Sequence, residues 1–432
     1  MKIRVAVLFG GKSTEHEISI ISAIQAIGYM NTEKYDIIPV YITKNSEMYT
    51  GEFVGDIESY SDLQGLLRRS KRVTFVRDGE NVRMVRYPAP LFSKGDMGTV
   101  DVFFPIVHGT NTEDGTLQGY INMLGAPYVG CDVLSSAVGM DKYVMKTVLK
   151  DNGVPVLDCK VFNSKMYDED PDAIIETVEK EIGYPVIVKP IDLGSSIGIS
   201  KAKDTEELWS SLENAFQFAN KILIEPAVQN LKEINCAVLG DYEDARASEC
   251  EEPVNGEGIL SFSDKYLKGG SSAKGSKLGG KMGGAKFSSP KLGGAKTGGA
   301  KFGGSKGGSQ GMASLSRKIP AEITDEQRTY IRELAVKAFK CLGCGGVSRI
   351  DFMMNTETGE IWLNEINTIP GSLSFYLWEP IGTPYSKLLD EMISLALKRE
   401  RQEGALTYTF ESNVLEGVTF GRGSKGAKGS KM

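Results

Sequence analysis

Residues 347–371 read VSRIDFMMNTETGEIWLNEINTIPG, and their pattern decides the fold. The spacing predicts two strands, over 347–354 and 360–365, joined by a turn at Asn355–Gly359. Residues two apart on a strand share a face, so Arg349 points with Asp351, and Glu365 with Asn367. If the strands pair through that turn, Asp351, Glu365 and Asn367 converge beside Arg349. Three oxygen ligands next to a guanidinium suit six-coordinate magnesium bridging nucleotide phosphates. A surface hairpin with ordinary charges is the plainer alternative. The apolar Ile350, Phe352, Leu363 and Ile366 argue instead for a half-buried sheet, in which acids without a metal or partner would be costly.

Upstream lies the run Lys189-Pro190-Ile191-Asp192-Leu193-Gly194-Ser195-Ser196-Ile197-Gly198. A lysine leaves a strand end and a Gly/Ser loop follows, whose backbone N–H groups and hydroxyls can converge on phosphate. Alone this is as easily a surface turn; Lys142 upstream strengthens it. The loop His108-Gly109-Thr110-Asn111-Thr112-Glu113-Asp114-Gly115 follows the strand expected over 100–107, where an α/β sheet binds ligands. Near the start, Gly10-Gly11-Lys12-Ser13 mimics a phosphate-binding P-loop. The other glycine of that motif would fall at Ala6, inside the strand, so the motif is rejected. A glycine turn onto a helix remains, with Glu15 placed to grip a substrate ammonium or simply to favour the helix dipole.

The elements around these motifs alternate strand and helix. Strands are expected at 3–9, 40–42, 100–107, 185–190, 222–225 and 233–239, and helices at 15–29, 141–152, 205–219, 325–342 and 384–398. Residues 44–94 form an insertion or meander. The expected fold class is α/β.

The chain has 432 residues, 41% hydrophobic and 25% charged, with net charge −6, which gives no global argument for nucleic acid or a membrane surface. Six scattered cysteines and two histidines suit neither a disulfide framework nor a zinc site; Cys341 and Cys344, in CxxC spacing, lack a second pair. No apolar run is long enough to span a membrane, and the reading is cytoplasmic. Residues 268–311 stand apart, with nine lysines, sixteen glycines and no acid, lysine recurring every five residues from 281 to 306. Such a composition buries no core. It reads as a flexible linker or as a lid whose lysines meet phosphate, and the tail 421–432 repeats the theme.

In combination the motifs are specific: Gly-Gly-x-Ser-x-Glu-x-Glu-x-Ser at 10–19, His-Gly-x5-Gly at 108–115, Met-Asp-Lys at 140–142, Gly-Ser-Ser at 194–196, Arg-Ile-Asp at 349–351 and Asn-Glu-Ile-Asn-Thr-x-Pro-Gly at 364–371. The chain resembles the D-alanine–D-alanine ligase branch of the ATP-grasp superfamily, over nearly its whole length outside 268–311 and the tail. The resemblance implies three α/β domains: 1–133 with a parallel sheet, a central one over 134–223 and a C-terminal one over 224–420, with ATP between the last two. It implies two D-alanines joined through an acyl phosphate for peptidoglycan synthesis, with ATP, two magnesium ions (manganese as substitute) and a homodimer. Lys142, Lys189, Ser196 and Lys265 match phosphate contacts, Glu225 to Val228 the adenine hinge, and Glu233 the ribose ligand. Asp351, Glu365 and Asn367 match the magnesium ligands. Arg349 matches the arginine that stabilises the acyl phosphate, and Glu15 the residue orienting the first ammonium, with Ser195 and Tyr266 as its hydrogen-bonding partners. His108, Gly371 and Ser372 are the remaining substrate-side candidates. Two departures stand out: the loop after Tyr266 is extended, and Tyr376 occupies a position where many members carry an acceptor-binding serine. D-serine or another small amine is therefore the alternative acceptor, while Tyr266 favours an amine over D-lactate. A second alternative, a non-catalytic polyanion-binding protein, leaves Asp351, Glu365 and Asn367 unexplained.

Overall fold

The computed structural model describes residues 2–91, 95–194, 197–254, 317–409 and 413. The first sheet is built on β1 (Ile3–Gly10), whose residues Val5 to Phe9 are wholly buried. Burial on both faces explains why it reads as a continuous apolar run. It pairs in parallel with β2 (Tyr35–Ile42) and with β7 (Val102–Val107). Between them β3 (Met48–Thr50), β4 (Lys71–Asp78), β5 (Asn81–Arg86) and β6 (Asp96–Val100) extend the sheet as antiparallel neighbours. The stretch 44–94 is thus a meander of this same sheet, and only three of the seven strands are parallel. The strand expected over 100–107 breaks at Asp101, whose carboxylate accepts the Arg4 N–H at 2.7 Å, and the two halves pair with different neighbours. Helices α1 (His16–Tyr29), α2 (Leu63–Arg69) and α3 (Thr116–Leu124) belong to this part of the chain.

Helices α4 (Val133–Met140) and α5 (Lys142–Asp151) lead to a second sheet, in the order β10 (Ser200–Ala202), β9 (Val186–Pro190), β11 (Lys221–Pro226), β8 (Lys160–Asn163). Its core is packed by α7 (Pro171–Glu181) and α8 (Thr205–Phe216), with α6 (Ser164–Glu169) beside them. Each helix of this pair starts on an aspartate, Asp170 and Asp204, whose side chain accepts a first-turn N–H.

The third sheet runs β14 (Arg317–Lys318), β13 (Ala245–Pro253), β12 (Leu231–Gly240), β15 (Gly346–Asn355), β16 (Ile361–Asn367). Helix α9 (Asp325–Cys341), started by a reciprocal capping box between Thr324 and Gln327, packs on it through Ile331, Leu334, Ala338 and Phe339. Helix α10 (Tyr385–Glu403) joins the first sheet's core to the third: Trp378, Tyr385 and Leu388 share one apolar cluster with Val5–Phe9 and with Leu239 and Val347. The six cysteines are free thiols. Cys131 Sγ donates to the Gly345 carbonyl at 3.6 Å and lies 3.5 Å from Ser348 Oγ. Among the described residues no helix is long and apolar enough to cross a membrane.

Candidate functional site

The hairpin of β15 and β16 forms as its sequence predicts. Arg349 faces Asn367 and Asp351 faces Glu365 in register. A bulge then shifts the pairing so that Phe352 meets Leu363, skipping Asn364. The extra residue reverses the parity of the strand. That is how Leu363 reaches the core while Glu365 and Asn367 reach the site. Arg349 grips Asp351 through Nε at 2.6 Å and Nη2 at 2.7 Å, and Asn367 Nδ2 donates to Asp351 Oδ2 at 3.0 Å.

Across a cleft stand the lysines. Asp141 caps α5 and so sets Lys142 at its first turn. Lys142 Nζ donates to the Leu193 carbonyl at 2.7 Å and lies 3.8 Å from Glu365 Oε2. Lys189, on β9, donates to Asn364 Oδ1 at 3.1 Å and pairs with Glu225 Oε1 at 2.5 Å. The other Glu225 oxygen is taken by Lys146. Burial pushes the Glu225 carboxyl up, but Lys189 and Lys146 outweigh it and hold the group below the usual carboxylate range. The Glu225 carboxylate is thus engaged within the protein, fixing two lysines at the start of the segment 225–228 expected as an adenine hinge. Lys146 was not legible as a site residue; its signal was helical spacing, four residues after Lys142 on the same face. Val228 is half-buried just beyond β11, and Glu233, half-buried on β12, lies two residues from Asn235, which faces Asp351, and so on the same side of the sheet.

The third wall comes from the first sheet. Glu15 is buried before α1, and Gly109 and Gly194 flank it: a Cβ on either would lie 2.8 and 2.9 Å from Glu15 Oε2. Gly109 also has φ of +80°, which favours glycine. Glu113 was passed over in the sequence although it stands in the quoted loop. Its Oε1 accepts the Ile369 N–H at 2.8 Å and its Oε2 the Gly109 N–H at 3.1 Å. Burial first, then the charge of Glu15, pushes its carboxyl up to about 8. His108 lines the cleft, but both ring nitrogens are occupied, Nδ1 by the Ile369 carbonyl at 2.8 Å and Nε2 by Ser22 Oγ at 3.1 Å. Burial lowers its pKa, so it is a neutral strut between the first and third sheets rather than a hydrogen-bonding substrate ligand.

Gly371 lines the cleft; Ser372 does not meet its expectation. Its N–H donates to Ser22 Oγ at 3.0 Å, and its hydroxyl is sealed in the interior without a partner. Ser372, Leu373 and Ser374 all have φ near +50°, a left-handed turn of non-glycine residues costing about 1–2 kcal/mol each. Ser195, Ser196, Lys265 and Tyr266 lie outside the described residues.

One cleft thus gathers Glu15, His108, Glu113, Lys142, Arg349, Glu365, Asn367 and Gly371. Among the described residues no group of three or more His, Cys, Asp or Glu side chains is placed to hold a metal. Two carboxylates plus the Asn367 amide nevertheless form a hard oxygen set, and turning that amide over presents Oδ1 where Nδ2 now meets Asp351. The residues therefore fit a magnesium ion by donor chemistry.

A family model described as D-ala D-ala ligase N-terminus matches residues 4–131, and one described as D-ala D-ala ligase C-terminus matches 148–277 and 309–394. A D-alanine–D-alanine ligase of Thermosipho melanesiensis is 35% identical over 414 residues, covering 96% of this chain and 98% of the relative. One of Caldicellulosiruptor bescii is 37% identical over 422 residues, covering 95% and 99%. Among solved structures, the D-alanine–D-alanine ligase of Coxiella burnetii matches with a TM-score of 0.70 at 26% identity, over 93% of this chain and 96% of that one. The VanG D-Ala:D-Ser ligase of Enterococcus faecalis matches with a TM-score of 0.69 at 30% identity, over 92% and 100%. The three sheets, the cleft between them and these matches along almost the whole length have one reading: the chain belongs to the D-alanine–D-alanine ligase family, with the ATP-grasp fold.

Proposed function

We propose that the chain joins two D-alanines at the expense of ATP, through an acyl phosphate. The observation that carries this reading is the gathering, in the lining of one cleft, of the buried Glu15 with the cations Lys142 and Arg349 and the acid Glu365. A zwitterionic amino acid fits that polarity, its ammonium toward Glu15 and its carboxylate toward Arg349.

A carboxylate is a poor electrophile, and phosphorylation makes it a good one. The chain's part in that transfer is positioning and neutralisation of charge. Lys142 and Lys189, held by the Leu193 carbonyl and Glu225, meet the phosphates. Arg349 spends Nε and Nη2 on Asp351 and leaves Nη1 for the anion that forms. Asp351, Glu365 and Asn367 would hold magnesium, which when bound draws charge from the phosphates. The second amino acid then attacks through its free amine, and phosphate leaves. Water has to be kept from the acyl phosphate, because its attack would waste the intermediate.

D-serine as acceptor is the second reading, favoured by the VanG neighbour at 30% identity. The test is ADP release by the purified chain with D-alanine as sole amino acid, followed by D-serine as a second amino acid. Dipeptide from D-alanine alone supports the first reading; ADP release only when D-serine is added supports the second; none with either overturns both.

A further inference from the structure

The bulge in β16 presents a side chain that the proposed chemistry leaves unused. Asn364 is the residue that the ladder skips, between Leu363 opposite Phe352 and Glu365 opposite Asp351. β16 is the edge strand of the third sheet. At the bulge that edge meets the segment between α5 and β8: Leu363 bridges Val156 in parallel, and its N–H donates to the Pro155 carbonyl at 2.8 Å. Asn364 then reaches the second sheet, where its Oδ1 accepts from Lys189 Nζ at 3.1 Å. An ammonium has only donors, so the amide must present its oxygen here. The contact joins β9 of the second sheet to the hairpin that carries Asp351, Glu365 and Asn367.

Lys189 is 4% exposed, and its ammonium has three hydrogens to place. Glu225 Oε1 takes one at 2.5 Å and Asn364 takes the second. With one acceptor an ammonium still swings about its Cε–Nζ bond. With two, its tetrahedral geometry fixes where the third N–H points. Glu225 is itself held by Lys146, whose Nζ also donates to the Leu157 carbonyl at 3.1 Å, one residue beyond the bridge at Val156. Within this buried trio two lysines share one carboxylate, so one formal positive charge is left for an incoming anion. A carboxylate at position 364 would cancel that charge. The amide accepts a hydrogen and leaves the charge in place.

We infer that Asn364 is a positioning residue: it sets the direction of the Lys189 ammonium and clips it to the hairpin of Asp351, Glu365 and Asn367, so that the phosphate-side cation and those side chains meet one nucleotide at a fixed spacing. The inference rests on the ligase reading above, with Lys189 as a phosphate contact. Its test is a double-mutant cycle on the full chain, read as kcat/KM for ATP from ADP release at saturating amino acid. Asn364→Ala and the near-isosteric Asn364→Leu both remove the acceptor. Each should lower kcat/KM for ATP about tenfold, the effect of one hydrogen bond to a charged group. The loss should fall on the KM of ATP, with the KM of D-alanine within about twofold of wild type. In a Lys189→Met chain the same substitutions should cost less than about twofold, because the ammonium they act through is gone. A general structural defect would lower kcat/KM by the same factor in both backgrounds, and that outcome overturns the inference. Wild-type values in both folded Asn364 variants, or a Lys189→Met chain as active as wild type, overturn it too; all three leave the ligase reading standing. A wild-type chain that releases no ADP with D-alanine or D-serine overturns the ligase reading and the inference together.

Discussion

At the scale of single residues, the site is set by which charges are paired inside the protein. Glu113 is the clearest case, because its carboxyl is pushed up to about 8 by burial and by Glu15. The folded chain keeps a proton there that the unfolded chain loses near pH 4.5. Stability is therefore full below that pH and falls as pH rises through about 8, by up to about 1.4 kcal/mol per unit. Denaturant titrations at pH 5, 7 and 9 should show this slope, and Glu113→Gln should flatten it; equal slopes in the two proteins would show that Glu113 is ionised in the fold. Glu225 behaves oppositely. Removing its charge in Glu225→Gln leaves Lys146 and Lys189 buried without an anion, and urea unfolding should show a loss of about 3–5 kcal/mol. On the cleft side, Asp351→Ala or Glu365→Ala should cut ADP formation by about 1000-fold or more while circular dichroism stays that of the wild type. Ligase activity retained in either would remove the metal assignment. These pairings separate what the sequence showed from what it hid: Asp351, Glu365 and Asn367 announced themselves by period-2 spacing, whereas Glu113 and Lys146 gained their roles only from partners 256 and 79 residues away.

At the scale of elements, two local devices aim the site. The bulge at Asn364 lets one strand serve the core with Leu363 and the cleft with Glu365, a switch of face that alternation alone cannot signal. The loop after β7 does the same for the first sheet. It turns at Gly109, where φ is +80° and a side chain would run into Ser13 and Glu15. Gly109→Ala should therefore displace Glu15 and lower kcat/KM for D-alanine by about tenfold or more, from a strain of about 1–2 kcal/mol plus the clash. The melting temperature should fall by only a few degrees, and a variant with wild-type kinetics would show that the loop adjusts freely. The elements that carry the motifs were legible, among them the apolar run of β1 and the helix expected from 325, because those signals are local, whereas β8, β10 and β13 were not. The division of residues 100–107 into two strands was not, since it depends on Arg4 reaching Asp101 from another strand.

At the scale of the whole molecule, the cleft exists because three sheets are tied together. Glu113 and His108 hold Ile369, Ser22 holds Ser372, and Arg399 donates to the Tyr128 and Gly130 carbonyls at 2.6 and 2.9 Å. A ligand bridging the second and third sheets binds only the folded chain. ATP with magnesium at a hundred times its Kd should stabilise by about 2.7 kcal/mol, and a chelator should remove most of that gain. Calorimetry with and without magnesium checks this; a chelator-insensitive shift would mean that the nucleotide binds without the metal.

By itself the sequence determined the class of fold, the strands and helices that carry the site motifs, the family and most of the polar residues of the site. Periodicity, turn residues and motif spacing act over a few positions along the chain. Only the tertiary structure decided that Glu225 pairs with Lys146 and Lys189, that the hydroxyl of Ser372 is sealed away, and that the Tyr376 hydroxyl reaches Glu251 with the Arg317 guanidinium over its ring. Burial and charge pairing depend on neighbours far away in sequence, and those neighbours are set only when the sheets pack.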